Sequence, residues 1–134
     1  MIVYAVEPRL DAEAFIDLLR RSTLDQRRPV DEPARIARML TNSNLIVTAR
    51  SDGRLIGVAR ALADFGFACY LSDLAVDREW QRRGIGRALM ARVHAEAGGD
   101  ETMLLLLAAP AAADYYPHVG FAKVEAGWML PRKR

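Results

Sequence analysis

The sequence predicts a single α/β domain over residues 1–134, one mixed sheet with helices on its faces. Three observations predict it. Short β-branched or apolar runs interleave with stretches of helical apolar periodicity, so strands and helices share one layered unit. A chain of 134 residues can bury a real core but is too short for two domains of ordinary size. Finally, a glycine-rich stretch, Gln81-Arg82-Arg83-Gly84-Ile85-Gly86-Arg87, joins a strand-like run to a helical one. No repeat or low-complexity linker interrupts the order.

Ile2 to Val6 alternates and is β-branched, as an opening strand should be. Asp11 then starts a helix whose inner face is Phe15, Leu18 and Leu19, with Arg20 and Arg21 at its C-terminal end. Ser22 to Val30 is polar and reads as a loop. A second helix begins near Asp31, with Pro33 in its first turn and Ile36, Met39 and Leu40 facing inward. Leu45–Ala49 and Leu55–Leu62 form a hairpin across Asp52-Gly53. Phe65-Gly66-Phe67 turns the chain into the next strand, Cys69–Val76. Ile85, Leu89 and Val93 mark one face of a helix that stops at Gly98-Gly99. Thr102 to Ala108 is apolar throughout, as a central strand covered on both faces would be. A short helix over Ala111–His118 and two short strands, near Ala122–Glu125 and Trp128–Leu130, complete the expected order of seven strands and four helices.

Composition narrows the function classes. Half of the residues are hydrophobic, about a quarter are charged and the net charge is +2, an ordinary globular balance. Met103 to Ala109, the longest apolar run, is far short of the roughly twenty residues of a membrane span. Met1-Ile2-Val3-Tyr4 has no basic, long-apolar start, which leads to the expectation of a cytoplasmic protein without membrane partners. Cys69 is the single cysteine, and His94 and His118 lack a matching spacing, so no metal site is expected. The arginine doublets 20–21 and 27–28 read as solvated surface, Cys69 as a small buried apolar residue and His94 as surface. Basic clusters without interleaved aromatics do not point to nucleic acid.

The glycine-rich stretch is the strongest chemical signal. Glycines let backbone approach a ligand because no Cβ intervenes. A helix start presents unpaired N–H groups and partial positive charge to an anion. Arg82, Arg83 and Arg87 add full charges. The expected ligand carries a pyrophosphate. A Rossmann site lacks its third glycine here, and no Gly-Lys-Ser/Thr of a Walker loop follows.

Leu74-Ala75-Val76-Asp77-Arg78-Glu79-Trp80 running into this stretch, followed later by Tyr115-Tyr116-Pro117-His118-Val119-Gly120-Phe121, resembles the two signatures of the GNAT superfamily, the acetyl-CoA-dependent N-acetyltransferases. The element order resembles that family over essentially the whole chain. The resemblance implies a mostly antiparallel sheet of six to seven strands, splayed between the fourth and fifth, with about four helices. It implies that backbone of Leu74, Ala75 and Val76 binds the pantetheine arm of acetyl-CoA. Gln81, Arg82, Arg83, Gly84, Ile85, Gly86 and Arg87 would hold the pyrophosphate. The expected reaction is direct transfer of acetyl to a primary amine of a small molecule. A protein N-terminus or lysine is the alternative acceptor, and a non-catalytic acyl-CoA-binding module the alternative role. A homodimer is a possible arrangement. The asparagine frequent in the family after the fifth strand is replaced by Ala108-Ala109-Pro110.

Acetyl transfer to an amine needs a neutral nucleophile and a proton for the departing thiolate. By the resemblance, Tyr116 is the general acid, and Tyr115 packs. Relatives often carry a glutamate or histidine at the positions of Tyr70 or Ser72, and this chain has neither. Strict alternation puts Tyr70, Ser72, Leu74 and Val76 on one face and Leu71, Asp73 and Ala75 on the other. Asp73 therefore points away unless a bulge intervenes. The expectation is that Ser72 and Tyr70 order a water that takes the amine proton. Leu55–Arg60 and Gly127–Leu130 are somewhat similar to plastid and cyanobacterial serotonin-type acetyltransferases, which makes an aromatic or alkyl amine the lead acceptor. The family resemblance places acceptor choice in Ser22–Val30 and around Trp128.

Overall fold

The structure, a computed structural model of residues 1–134, contains one five-stranded sheet in the order β1-β2-β3-β4-β5. The strands are β1 (Ile2–Val6), β2 (Leu45–Ser51), β3 (Arg54–Ala63), β4 (Ala68–Val76) and β5 (Met103–Leu106). The first four run antiparallel, and β5 is parallel to β4. Helices α1 (Ala12–Ser22) and α2 (Pro33–Thr41) cover one face, and α3 (Ile85–Glu96) covers the other.

Local chemistry explains where each element starts and stops. Asp11 caps α1 by accepting from Ala14 N at 3.1 Å, and Arg20 and Arg21 close its last turn. Pro33 occupies the first turn of α2, where its missing N–H costs nothing. Asp52 and Gly53 both take positive φ, the two-residue turn that matches strand twist. At the next turn Asp64 Oδ1 accepts from three successive amides, Gly66, Phe67 and Ala68.

The sheet divides two apolar layers. Phe15, Leu18, Leu19, Ile36 and Leu40 pack against Ile46, Val58 and Ala75 on the first side. On the second, Ile85, Leu89, Met90 and Val93 of α3 lie on Val47, Ala59, Ala61 and Leu71. At Gly57 the side chains of α3 lie close on the sheet. A Cβ there would stand 3.1 Å from both Ile85 and Leu89 side chains, so the glycine sets how near the helix can lie.

Several expectations need correction. The sheet has five strands rather than six or seven, and there are three α-helices rather than four. Residues 122–134 form no strand. The expected helix over Ala111–His118 is two 3₁₀ turns, Pro110–Ala112 and Tyr116–Val119. The apolar run after Thr102 is an edge strand instead of a central one, with Met103 and Leu107 exposed. Uniform apolarity signals burial on two faces, but here the sheet ends at β5.

The β4 strand also breaks its alternation. Arg60 pairs with Asp73 and Ala61 with Leu71, which leaves Ser72 without a partner as a β-bulge. Before the bulge, Cys69 and Leu71 face α3. After it, Leu74 and Val76 face α3, while Ala75 faces α1 and α2. Asp73 and Tyr70 therefore share the α1–α2 side, and Tyr70 does not share a face with Leu74 and Val76.

Candidate active site

Between β4 and β5 the sheet opens. Only Ala68–Leu71 of β4 pairs with β5, whose partners end at Leu106. In the remaining half of β4, Asp73–Val76 is paired on its β3 side alone and Ser72 is the unpaired bulge residue. A cavity of about 90 Å³ lies at the fork. Leu71, Ser72 and Leu74 line it from β4, and Leu106, Leu107 and Tyr116 from the opposite arm. Leu24, Arg27 and Arg28 close it from the segment between α1 and α2.

Tyr116 is half-buried and held edge-to-face between Tyr115 and Phe121, with ring centroids 5.4 and 5.5 Å away. Its hydroxyl takes part in none of the chain's hydrogen bonds, and it is not a buried atom without a partner, so it opens onto the cleft. Burial, reinforced by the neighbouring Tyr115, pushes its pKa above the usual tyrosine value. Tyr116 therefore keeps its proton at neutral pH.

Ser72 and Tyr116 are brought to the same cavity, whereas Tyr70 does not line it. The Ser72–Tyr70 pair expected from alternation is not assembled, because the bulge turns the strand between them. Ser72 itself is engaged: its Oγ accepts from Arg60 Nη2 at 2.8 Å and its carbonyl from Arg28 Nη2 at 2.7 Å.

Behind the cavity wall is a charged cluster that the sequence reading missed. Asp73, 1% exposed, accepts from Arg28 Nε and Arg60 Nε, each at 2.5 Å. Arg60 also donates to Ser43 Oγ. The signal was present: Asp73 is the single charge of β4, Arg60 is the one charge inside β3 beyond its opening Arg54, and buried charges need partners. Reading the 27–28 and 20–21 doublets as solvent-facing was also incomplete. Arg28 reaches Asp73, and Arg21 pairs with the buried Asp77 while donating to Leu55 O at 2.8 Å. Asp77 in turn accepts from Glu79 N at 2.9 Å and so fixes the exit of β4. Both oxygens of Asp73 are occupied, which makes it an anchor rather than a free base.

The glycine-rich stretch forms the turn into α3. Arg82 and Gly84 take φ of 65° and 80°, and Gly84 sits at the helix start without a side-chain cap. The first helical bond runs from Ala88 N to Gly84 O, so the N–H groups of Ile85, Gly86 and Arg87 have no helical acceptor. Ile85 buries its side chain in the core, and Ala75 does so on the far face. Gln81, Arg82, Arg83 and Arg87 are exposed, and Arg83 lies over the Trp80 ring at 4.8 Å. Gln81 Nε2 donates to Val76 O at 3.0 Å. A Cβ on Gly86 would make ordinary contacts, 3.8 Å to Leu74 and 3.9 Å to Val76. The protein's own packing thus does not demand glycine at 86. The free N–H groups at this helix start are placed as an anion would need them.

Other candidates are less engaged. Cys69 is buried, and burial followed by the charge of Asp64 pushes its thiol pKa up, so it is no nucleophile. His94 is half-buried rather than on the surface, with Nε2 2.9 Å from Thr102 O. No group of three or more His, Cys, Asp or Glu side chains is placed to hold a metal, and no helix is long and apolar enough to cross a membrane.

Comparison with known proteins agrees with this geometry. The acetyltransferase (GNAT) domain pattern matches residues 24–127. The chain is 32% identical over 116 residues to a chloroplastic GCN5-related N-acetyltransferase 2 of Arabidopsis thaliana, which covers 71% of this chain and 44% of that protein. It spans about half the length, or less, of the curated relatives it matches. A probable acetyltransferase of unknown function from meticillin-resistant Staphylococcus aureus superposes with a TM-score of 0.79 at 21% identity, over 98% of this chain and 99% of that one. An aminoglycoside N-acetyltransferase solved in complex with CoA superposes with a TM-score of 0.75 at 18% identity, over 100% and 96%. With the family pattern extending from the 3₁₀ turn after α1 to the tail, the chain belongs to the GNAT acetyltransferase family.

Proposed function

We propose that the chain transfers acetyl from acetyl-CoA to a primary amine of a small molecule, directly and with both substrates bound. The observation that carries this reading is the fork itself: one unpaired strand half, an uncapped helix start and an unpartnered tyrosine hydroxyl meet along one path. Acetyl-CoA supplies an acyl group already activated as a thioester. Peptide groups of Ser72–Val76 bind its pantetheine arm, with Leu74 and Val76 on the side toward α3. The α3 amides and Arg82, Arg83 and Arg87 receive the pyrophosphate. The 18%-identical aminoglycoside enzyme with CoA shares this fold and supports the coenzyme assignment by analogy.

The amine nitrogen forms a bond to the acyl carbon as the carbon–sulfur bond breaks. Tyr116 donates its hydroxyl proton to the departing sulfur, a role suited to a group whose pKa is raised. The amine proton leaves to water, because no free carboxylate or imidazole lines the cavity. Ser72, fixed by Arg60 and Arg28, orients that water through its hydroxyl. Thiol release from acetyl-CoA over a panel of amines, amino acids and peptides tests the activity. Calorimetry with CoA tests the binding step, and absence of measurable binding overturns the assignment.

A further inference from the structure

We propose that the acceptor carries an acid group, a carboxylate above all, beside its reactive amine, and that Arg27 receives it. The inference rests on the acetyl-transfer reading and names the substrate class of that same cavity.

The charges around the cavity are one-sided. Arg27 and Arg28 line it, and no aspartate, glutamate or histidine does. The only carboxylate behind its wall, Asp73, is shared by two guanidiniums, Arg28 and Arg60. One positive charge of that trio stays uncompensated, before Arg27 is counted. Asp25 belongs to the same 3₁₀ turn as Arg27 but does not line the cavity.

The two lining arginines differ in freedom. Arg28 is fixed by Asp73, Ser72 O and Arg27 O. Arg27 is exposed and its guanidinium makes no hydrogen bond or ion pair within the chain, so its donors are available. A guanidinium matches a carboxylate with two parallel hydrogen bonds. Apart from the Ser72 and Tyr116 hydroxyls, the remaining walls are apolar, with Leu24, Leu71, Leu106 and Leu107 among them.

A plain cationic amine would bring like charge into this wall. An amine that also bears a carboxylate is neutral overall and finds a partner. The same positive surroundings favour loss of the ammonium proton, which the transfer requires. An α-amino acid, a zwitterion near neutral pH, meets both conditions, and an aminobenzoate, whose nitrogen is already neutral, isolates the carboxylate.

A carboxylate could also arrive on the donor, as the acyl group of succinyl-CoA, and the test separates the two sources. Thiol release is measured with matched acceptors: phenylalanine against phenethylamine, and 4-aminobenzoate against aniline, with acetyl-CoA and with succinyl-CoA. The expected result is a kcat/KM for the acid member on the order of tenfold to a hundredfold higher, as for a hydrogen-bonded charge. Arg27→Gln should erase that preference through the KM of the acid members, with CoA binding by calorimetry retained. Equal rates for acid and plain amines, with CoA still bound, overturn this inference alone. A preference for succinyl-CoA that Arg27→Gln abolishes overturns it by moving the acid to the donor. Loss of CoA binding in the unaltered protein overturns the acetyl-transfer reading instead.

Discussion

Asp73→Asn is the substitution with the largest worked consequence. It keeps the side-chain shape and removes the charge between Arg28 and Arg60. The Asp73 side chain is fully buried, and those of Arg60 and Arg28 are 7% and 21% exposed. Removing one partner of such a buried set costs about 3–5 kcal/mol, because the remaining charges lose compensation that water does not replace. For 134 residues the unfolding entropy is about 0.28 kcal/mol per degree, so Tm should fall by roughly 10–18 °C. Thermal and urea unfolding followed by circular dichroism measure this directly. A companion variant, Arg60→Met with Asp73→Leu, replaces charge by apolar volume and should recover much of the loss. Activity at low temperature is the second readout. If Asp73→Asn keeps its Tm within about 2 °C and abolishes turnover at every pH, the anchor assignment is wrong and Asp73 is a base.

Tyr116→Phe should lower kcat about a hundredfold or more while leaving CoA affinity nearly intact; comparable losses in both, by calorimetry and thiol release, point to a packing role. Gly86→Ala should stabilise α3 by up to about 1 kcal/mol, since the added Cβ makes only ordinary contacts, yet weaken CoA binding. Unchanged CoA affinity would remove Gly86 from the binding path. Glu7 and Asp77 govern acid stability. The Arg50 hydrogen bond, aided by Thr48, lowers the Glu7 pKa against burial. For Asp77, burial raises the pKa, but the Glu79 amide and Arg21 together outweigh it, so the net shift is also downward. Folded-state pKa values below the unfolded ones give stability that is full above the ordinary values of 4.5 and 3.8 and disappears as pH falls through the lower folded values. Urea midpoints should therefore drop between about pH 6 and about pH 3, and drop less in Glu7→Gln; parallel curves for the two proteins contradict the assignment.

Periodicity and turn chemistry were enough to place β1 to β4, the three helices and the turn into α3, because each is fixed by near neighbours in the chain. The Asp52-Gly53 hairpin and the Asp11 cap are examples. What escaped depends on distant partners. Nothing near Ser72 announces a bulge; it exists because Arg60 and Asp73 must pair across β3 and β4. Met103–Leu106 is apolar enough for a central strand, yet the sheet stops there, and the tail around Trp128 carries strand-like residues without a strand to pair with. At the fork, the glycines lie where the strand-to-helix pattern puts them, and Tyr116 lines the cavity as its resemblance to the family signature implies. Arg28 could not be placed from the sequence, because its role rests on a contact 45 residues away in sequence.

The bulge at Ser72 changes what an insertion or deletion would mean in this strand. Faces of β4 are assigned by counting, and the count shifts by one at a single residue. Removing Ser72 would restore strict alternation and leave Asp73 facing the arginine pair, whereas keeping Ser72 and pairing it regularly would turn Asp73 toward α3. The bulge, and not residue identity, thus decides whether this carboxylate braces the scaffold or turns to the α3 side. Chemistry inferred for a related strand by matching columns of residues will transfer only where the bulge transfers with it.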